Sequence, residues 1–435
     1  MRRLLPLLIP VAVVVFGVLG IWLIDAATNA LCINGTFSSC LVSNVGFSRD
    51  LADFTAIFLG VLLVATIPLV ITILLIWVER RVAARFADRI GPNRVGPFGL
   101  IQPIADVLKL LTKELITPVG VDKPIYNAAP LLILASVLLI WAVIPFSPVH
   151  IGVDLEIGAL YFLTVGSFST LAVIMAGWAS NNKYALLSAF RVVAQLISYE
   201  VPLALALLTP ILLAGSLSMM DIVEAQQGMW FVFMAPIAAF LFFAAAQAET
   251  GRTPFDLLEA DSELVAGFNI EYSGMKFAMF FAAEFMHVFT NGVLMAVLFT
   301  GGWAGPFVHE APILGVIYLF AKGSVWYFIS LWLRATLPRV RIDQLMALNW
   351  KFFVPLAIVN LLVMAFLLEL TQQLGLTPNN PNNFVDNIPQ TLVLFMGNLI
   401  LFAGTILALH YKFHAERLAE EAEEIEYHDE AVAAH

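Results

Sequence analysis

The segment from Phe58 to Gly99 reads FLGVLLVATIPLVITILLIWVERRVAARFADRIGPNRVGPFG and joins two opposite kinds of sequence. Its first half, which ends at Val78, is an apolar run long enough to cross a bilayer, for which about 20 residues are needed. Its second half begins at Glu79 and carries five arginines. The junction predicts a transmembrane helix followed at once by a charged loop, and any fold must explain what these arginines contact.

The composition places the whole chain in a membrane. Of its 435 residues, 60% are hydrophobic and 12% are charged, against about 25% charged in a soluble domain, and the mean hydropathy is +0.90. We predict an all-α fold, a polytopic transmembrane helical bundle of about ten spans. The apolar segments are 4–24, 55–78, 128–146, 157–179, 190–214, 229–248, 276–300, 312–333, 352–372 and 389–411. Segment 4–24 is longer than the apolar region of a signal peptide, which has about 7 to 15 residues. We therefore expect this segment to remain in the protein as a transmembrane helix.

The lysines and arginines predict the orientation, because cytoplasmic loops retain positive charge. Of the 22 Lys and Arg residues, only Arg49 falls in a loop of the predicted outer side, and only Lys322 lies deep within a span. The remaining 20 lie in the loops of the other side or at the helix ends next to them. We therefore predict a multi-pass protein of a bacterial cytoplasmic (inner) membrane, with both termini in the cytoplasm. The cytoplasmic loops are then 79–127, 180–189, 249–275 and 334–351.

Cysteine and histidine usage argues against a redox centre within the chain. Cys32 and Cys40 are the only cysteines, and both fall in the predicted outer loop, where they are candidates for a disulfide or are two free thiols. An iron-sulfur cluster normally takes four cysteines, and the seven histidines lack metal-binding spacing. We expect no metal, no iron-sulfur cluster, no flavin, no covalently bound cofactor and no nucleic-acid partner.

The first cytoplasmic loop divides into a turn and an amphipathic helix. Gly91-Pro92 and Gly96-Pro97 predict turns, and in the following LIQPIADVLKLLTKELITP the residues Ile104, Leu108 and Leu111 share one face. This periodicity is typical of a helix on the membrane surface. The arginines alone also fit simple anchors at lipid head groups, but the paired Gly-Pro turns favour a rigid platform.

The third cytoplasmic loop is acidic, against the general trend of the cytoplasmic side. Carboxylates crowded in a partly dehydrated place cannot all ionise, and they titrate as a coupled set. A solvent-facing acidic loop is the alternative. The residues concerned are Glu249, Asp256, Glu259, Asp261, Glu263 and Glu271.

Three ionisable residues lie inside predicted spans. By helical rise, Glu200, Glu284 and Lys322 sit about 14, 12 and 18 Å from the nearest inner charge, where each costs roughly 2.5 to 3.5 kcal/mol. We interpret them as a polar track through the inner half of the protein; a buried Lys322 paired with a Glu for helix packing is the alternative. An aromatic stripe lies at helical spacing around Glu284 and fits packing or a flat apolar ligand; it consists of Phe277, Phe280, Phe281 and Phe285.

The C-terminal tail from residue 412 is acidic. Its eight carboxylates face only Lys412 and Arg417, so it holds −6 of the total net charge of −10. A solvated, partly helical tail and a docking strip for a basic partner both fit this composition.

Four stretches resemble one known family. RIGPNRVGPFGLIQPIADVLKLLTKE, NNKYALLSAFRVVAQLISYE, AETGRTPFDLLEADSELVAGFNIEYSGMKFA and LWLRATLPRVRIDQLMALNWK resemble the H-type membrane subunit of NADH:quinone oxidoreductase, respiratory complex I. The likeness runs from about Thr55 to Glu369. It implies a subunit of a proton-pumping enzyme that forms the quinone entrance and part of the quinone chamber and links quinone reduction to proton translocation through buried carboxylates, without a complete active site of its own. The substrate is then ubiquinone or menaquinone.

The resemblance also implies three groups of site residues. The quinone chamber would contain Glu79, Arg80, Arg89, Arg252, Phe277, Phe281 and Arg334. The proton-coupling path would contain Glu200, Glu249, Asp256, Glu259, Asp261, Glu263, Glu271, Glu284 and Lys322. The interface with the peripheral arm would contain Arg94, Lys183, Arg339, Arg341 and Asp343.

The same resemblance implies the partners and the division of the chain. The partners would be a soluble iron-sulfur subunit and its quinone-site neighbour, small and antiporter-like membrane subunits, membrane lipids and quinone. An eight-helix core would occupy 55–372. Outside it would lie an extra helix and outer loop at 1–54, a second loop and helix at 373–411, and an acidic tail at 412–435.

Three other readings compete with this one. A secondary ion transporter also has many spans and buried charges, but such proteins tend to show internal repeats, and we find no matching halves. The same subunit could serve a complex driven by ferredoxin instead of NADH. A passive membrane anchor for soluble subunits would tolerate apolar replacements of its buried charges.

Overall fold

The structure is a computed structural model that describes residues 49–256, 267–378 and 382–433. Within these ranges the chain is helical, and its β-structure is limited to one isolated bridge between Pro145 and Ile151. The helices are α1 (Arg49–Phe86), α2 (Gln102–Thr112), α3 (Lys123–Ile140), α4 (Gly158–Ala179), α5 (Lys183–Ala214), α6 (Met219–Glu224), α7 (Phe231–Met234), α8 (Pro236–Glu249), α9 (Gly274–Phe299), α10 (Ile313–Thr336), α11 (Ile342–Leu348), α12 (Val354–Gln373) and α13 (Phe384–Ala433).

Eight of the described helices are long and apolar enough to cross a membrane, which confirms the predicted all-α polytopic bundle. They run over Arg49–Phe86, Lys123–Val143, Gly158–Ala179, Lys183–Ala214, Gly274–Phe299, Ile313–Thr336, Ile342–Gln373 and Phe384–Ala408. The span predicted at 4–24 and the disulfide candidates Cys32 and Cys40 lie outside the described residues.

The segment predicted as one span at 229–248 is divided into α7 and α8. The break falls at Ala235, whose φ of −135° and ψ of 64° are not helical. Pro236 follows it, and a proline disfavours helical geometry in the residue before it. With 14 residues, α8 is about 21 Å long, which is shorter than a hydrocarbon core of about 30 Å.

Helix α1 extends beyond the predicted end of its span. The sequence predicted a loop from Glu79, whereas the helix continues through the first arginines to Phe86. Arg80, Arg81 and Arg85 therefore project from a helix that emerges from the apolar region. Charge marks where the chain leaves the bilayer, but it does not by itself stop helical hydrogen bonding.

Helix α9 occupies the centre of the bundle. It packs against α1, α3, α8 and α10, and 83% of the residues in its most apolar window are buried. A Cβ atom at Gly292 would lie 2.9 Å from the carbonyl oxygen of Gly323 in α10. The two helices therefore approach as closely as small residues permit. In contrast, only 17% of the corresponding window of α13 is buried, so this helix is peripheral.

Helix α13 runs from its apolar part into the acidic tail without a break and ends at Ala433. The boundary predicted at residue 412 between a membrane segment and a tail is thus a change of composition within one helix.

The loops predicted to be cytoplasmic meet at one end of the bundle. The backbone N–H of Ile116 donates to Ser273 Oγ over 2.9 Å, Asn182 Nδ2 donates to Glu271 Oε1 over 2.7 Å, and the N–H of Val340 donates to the carbonyl of Pro254 over 2.9 Å. We call this the charged end. The loops 141–157, 215–230 and 300–312, together with Asn382, belong to the opposite end.

Candidate functional site

Arg81 closes the turn that follows α1. Its Nη1 atom donates to the carbonyl oxygens of Pro92 and Phe98, each over 2.7 Å. Its guanidinium carbon lies 5.7 Å from the centre of the Trp77 ring and 5.6 Å from that of Phe98. The sequence did not single out Arg81 as a site residue, although its place beside the two Gly-Pro turns was a usable signal. One of the five arginines thus fixes the loop.

Gly99 permits the same turn. Its φ is +76°, and a Cβ atom there would overlap the carbonyl group of Pro92. A glycine is required because other residues avoid this conformation and this contact. The loop is thereby held against the end of α1.

A cavity of about 660 Å³ opens beside this turn, and we call it the arginine cavity. Its volume falls in the range of about 300 to 1,000 Å³ that is common for small-molecule sites. Four of the predicted chamber residues line it together with apolar side chains. The polar ones are Glu79, Arg80, Arg89 and Arg334, and the apolar ones include Phe86, Ile90, Phe285 and Leu331.

The wall of the arginine cavity contains an ion cluster centred on the buried pair of Glu79 and Arg252. Glu79 forms ion pairs with both Arg252 and Arg334, and the Tyr327 hydroxyl donates to Glu79 Oε2 over 3.5 Å. Arg252 Nε also lies 3.2 Å from Glu284 Oε1. Because a buried charge is costly unless it is paired, these two arginines and two carboxylates depend on one another. Arg252 thus links Glu284 to Glu79, which lines the cavity.

The two aromatic residues predicted for the chamber, Phe277 and Phe281, connect to the cavity through a third phenylalanine, Phe285. The Phe277 and Phe281 rings stack with centres 6.1 Å apart, and the Phe281 ring lies 4.6 Å from that of Phe285. Of these three, Phe285 lines the arginine cavity, and the Arg252 guanidinium lies 4.7 Å from its ring centre. Phe277 and Phe281 therefore reach the cavity only through Phe285, which the sequence placed on the aromatic stripe but not in the site.

A small cavity of about 60 Å³ lies next to the ion cluster, and we call it the inner polar cavity. Glu284, Glu249 and His287 all line it. Glu249 is 6% exposed, and its Oε1 atom lies 3.8 Å from His287 Nε2. Two carboxylates that are 35 positions apart in the sequence thus line one cavity.

Glu249 also lines a third cavity, of about 620 Å³, together with Glu200. Its other walls are largely apolar and include Ile197 and Ile358. Thr170 Oγ1 donates to Glu200 Oε1 over 3.2 Å. A series of charged side chains therefore extends from the arginine cavity to this third cavity, which we call the Glu200 cavity. Its members are Glu79, Arg252, Glu284, Glu249 and Glu200.

Glu271 of the third loop makes contacts outside this series. Glu271 accepts a hydrogen bond from Asn182, and its backbone carbonyl accepts one of 2.7 Å from the Tyr126 hydroxyl. The Tyr126 and Tyr272 rings stack with centres 4.2 Å apart, and burial raises the pKa of the Tyr272 phenol. Asp256 is partly buried at the edge of the described segment. Glu259, Asp261 and Glu263 lie outside the described residues.

Lys322 is not brought together with the buried carboxylates. Its ammonium group lies at the opposite end and donates to the carbonyls of Gly301, Gly302 and Ala304 over 3.3, 3.0 and 2.9 Å. It also lies 4.9 Å from the centre of the Trp230 ring. These contacts match neither the expected polar track nor a pairing with a Glu, and they join α10 to the loop that follows α9.

The residues predicted for an interface with other subunits are all exposed at the charged end. They are Arg94, Lys183, Arg339, Arg341 and Asp343. The surface helix α2 lies at the same end and leaves Ile104, Leu108 and Leu111 exposed, which fits an apolar side that another surface or a lipid covers.

The chain is similar in sequence to known proteins over most of its length. The family described as NADH dehydrogenase matches residues 59–365. The H subunit of NADH-quinone oxidoreductase from Dehalococcoides mccartyi strain CBDB1 is 49% identical over 298 residues, which cover 68% of this chain and 83% of the relative. The H subunits of the same enzyme from Geobacillus kaustophilus (46% over 316 residues, 71% and 92%) and Geobacter metallireducens (45% over 318 residues, 71% and 95%) are similar too.

Proposed function

This chain belongs to the NADH dehydrogenase family, as a membrane subunit of NADH-quinone oxidoreductase, and from this premise we propose that its arginine cavity receives the quinone and that its buried carboxylates couple quinone reduction to proton translocation. It is a multi-pass subunit of an enzyme complex and not a complete active site. The observation that carries the proposal is the arginine cavity, whose ion-paired wall leads directly to Glu284.

The lining of the cavity suits a quinone. Reduction places negative charge on the quinone oxygens before protons arrive, and fixed positive groups stabilise such charge. Arg80, Arg89 and Arg334 supply those groups, while Phe285 and Leu331 supply apolar contact area. The exposed apolar residues of α2 give the isoprenoid tail a surface at the same end. The same chemistry serves ubiquinone and menaquinone.

The buried series supplies the coupling. Two unit charges about 6 Å apart interact by roughly 3 kcal/mol at an effective dielectric constant near 20, which changes proton occupancy by about a hundredfold. A charge formed in the arginine cavity acts through Arg252 on Glu284 and then on Glu249, which shares the inner polar cavity with Glu284. Glu200 lies across the next cavity. Neighbouring groups in the series form an ion pair or line a common cavity, which supports an effect of one group's charge on the next.

The charged end is proposed as the cytoplasmic side of a bacterial inner membrane, because positive loop residues remain in the cytoplasm. A soluble iron-sulfur subunit would bind at the exposed interface residues around Arg339 and Lys183 and deliver electrons to the quinone in the arginine cavity. The antiporter-like membrane subunits would then receive the signal from the Glu200 side. Since the donor binds a partner, ferredoxin in place of NADH is compatible with the same subunit.

An Arg334→Met variant tests the proposal. We expect quinone reduction by the assembled complex to fall about a hundredfold, since loss of one donor to a developing oxyanion typically has that effect. Electron transfer from NADH to an artificial acceptor at the peripheral arm should not change. Arg85→Met is the matched control, because Arg85 is exposed on the same end of α1 and does not line the cavity. Unchanged quinone reduction by the assembled Arg334→Met complex would refute the proposal.

A further inference from the structure

His287 is a buried titratable residue that the proposed relay leaves unused. It lies on α9 one helical turn after Glu284, and it is 7% exposed. Its Nε2 atom lies 3.8 Å from Glu249 Oε1, so the imidazole stands beside one carboxylate and shares a helix face with the other.

The space around His287 is suited to water. The inner polar cavity has a volume of about 60 Å³, and its lining is largely apolar but includes Glu249, Glu284 and His287. One water molecule needs roughly 10 to 15 Å³ of such space. Within the described part of the chain, Glu249 Oε2 and His287 Nε2 have no hydrogen-bond partner. Buried polar atoms are normally satisfied by protein or by ordered water. The cavity therefore has both the room and the unmet hydrogen bonds for a water bridge.

The charged groups around the imidazole come from three parts of the chain. Glu284 lies on the same helix, Glu249 ends α8, and Arg252 reaches Glu284 from the segment that follows α8. Arg252 holds Glu284 on the side of the arginine cavity, while Glu249 faces the Glu200 cavity. His287 therefore lies between the two halves of the carboxylate series.

We propose that His287 carries the proton between Glu284 and Glu249. This inference rests on the proposed function. A proton released at Glu284 crosses the water of the inner polar cavity and binds one imidazole nitrogen. Nε2 then gives a proton to the Glu249 carboxylate, since the two ring nitrogens can take up and release protons separately. Only N–H and O–H bonds change, and the transient imidazolium is stabilised by the adjacent carboxylate.

A His287→Gln variant separates this function from a purely structural one. Glutamine keeps an N–H donor that can reach Glu249, but it cannot take up a proton. We expect proton pumping and coupled turnover of the assembled complex in membrane vesicles to fall about a hundredfold or more, because proton transfer by a positioned side chain contributes roughly 10²- to 10⁴-fold. The solvent deuterium isotope effect on turnover should rise as well. A structural hydrogen bond alone predicts neither change.

Matched variants make each outcome decisive. His309→Gln is the control, since His309 is exposed at the opposite end, and we expect it to pump like the wild type. The smaller His287→Asn should show the same defect as His287→Gln. If either assembled His287 variant pumps normally while Glu249→Gln does not, the proton-carrying function of His287 is wrong and the proposed function stands. Normal pumping by Glu249→Gln itself would instead remove the carboxylate coupling.

Discussion

Glu79 and Arg252 are 173 positions apart in the chain and form an ion pair in the interior of the bundle, where 8% and 3% of their side chains are exposed. The pair joins the end of α1 to the segment after α8. It places the wall of the arginine cavity next to Glu284 and so connects the two halves of the proposed mechanism.

Loss of this buried pair should cost more stability than loss of an exposed one. Arg252→Gln leaves two carboxylates without a shared partner, and breaking a buried pair typically costs about 3 to 5 kcal/mol. Arg80 and Asp106 form an ion pair whose side chains are 43% and 31% exposed, and such pairs are worth about 0 to 1 kcal/mol. We expect Arg252→Gln to lower the thermal stability and yield of the purified complex far more than Asp106→Asn. Equal losses would contradict the importance of the cluster.

Gly99 should be intolerant of any side chain. Gly99→Ala forces an unfavourable conformation and a clash with Pro92, at a cost of about 1 to 3 kcal/mol for the strained backbone. Displacement of the turn should raise the KM for quinone before it affects assembly. Gly60→Ala is the control, because Gly60 lies in α1 with no atom within 4 Å of the added Cβ. A normal KM in Gly99→Ala would show that the turn does not shape the cavity.

Glu249→Gln should interrupt the relay at its centre. It removes a titratable group that lines two cavities and keeps nearly the same shape. We expect an assembled complex whose proton pumping per quinone reduced is largely lost. Glu156→Gln, at an exposed position of the opposite end, should pump normally. The passive-anchor reading makes the opposite prediction, namely full pumping in both variants.

Lys322→Met should affect stability instead of coupling. The ammonium group ties α10 to the loop after α9 through three carbonyls, and methionine makes none of these bonds. We expect less assembled complex and a lower melting temperature, with pumping per quinone unchanged in the complexes that do assemble. Loss of pumping in a Lys322→Met complex of normal stability would instead show that Lys322 acts in the proton path.

The sequence predicted the membrane spans well because long apolar segments have few alternatives in a bilayer. The prediction was wrong at two positions where local interactions determine the ends of helices. Pro236 divides one expected span, and helix α1 continues through the arginines instead of ending at Val78. Lys322 was placed by its distance from Arg334, but a residue near the middle of α10 can reach either end. Its actual partners are carbonyls of a loop whose path no helical spacing reveals.

The residues of the candidate site were predicted mainly from the family resemblance. Periodicity cannot show that Glu79 meets Arg252, because the contact depends on how distant helices pack. His287 was overlooked because it was considered only as a metal ligand, although its position three residues after Glu284 was a visible signal. The packing of α8 against α9 is what brings it to Glu249.

Infrared difference spectroscopy on quinone reduction tests the central claim most directly, because it detects protonation of buried carboxyl groups in the intact complex. We predict that reduction of quinone produces a carboxyl band in the wild type and that Glu249→Gln removes or shifts this band. A reduction-induced spectrum that is identical in the wild type, Glu284→Gln and Glu249→Gln would contradict a link between the arginine cavity and the buried carboxylates.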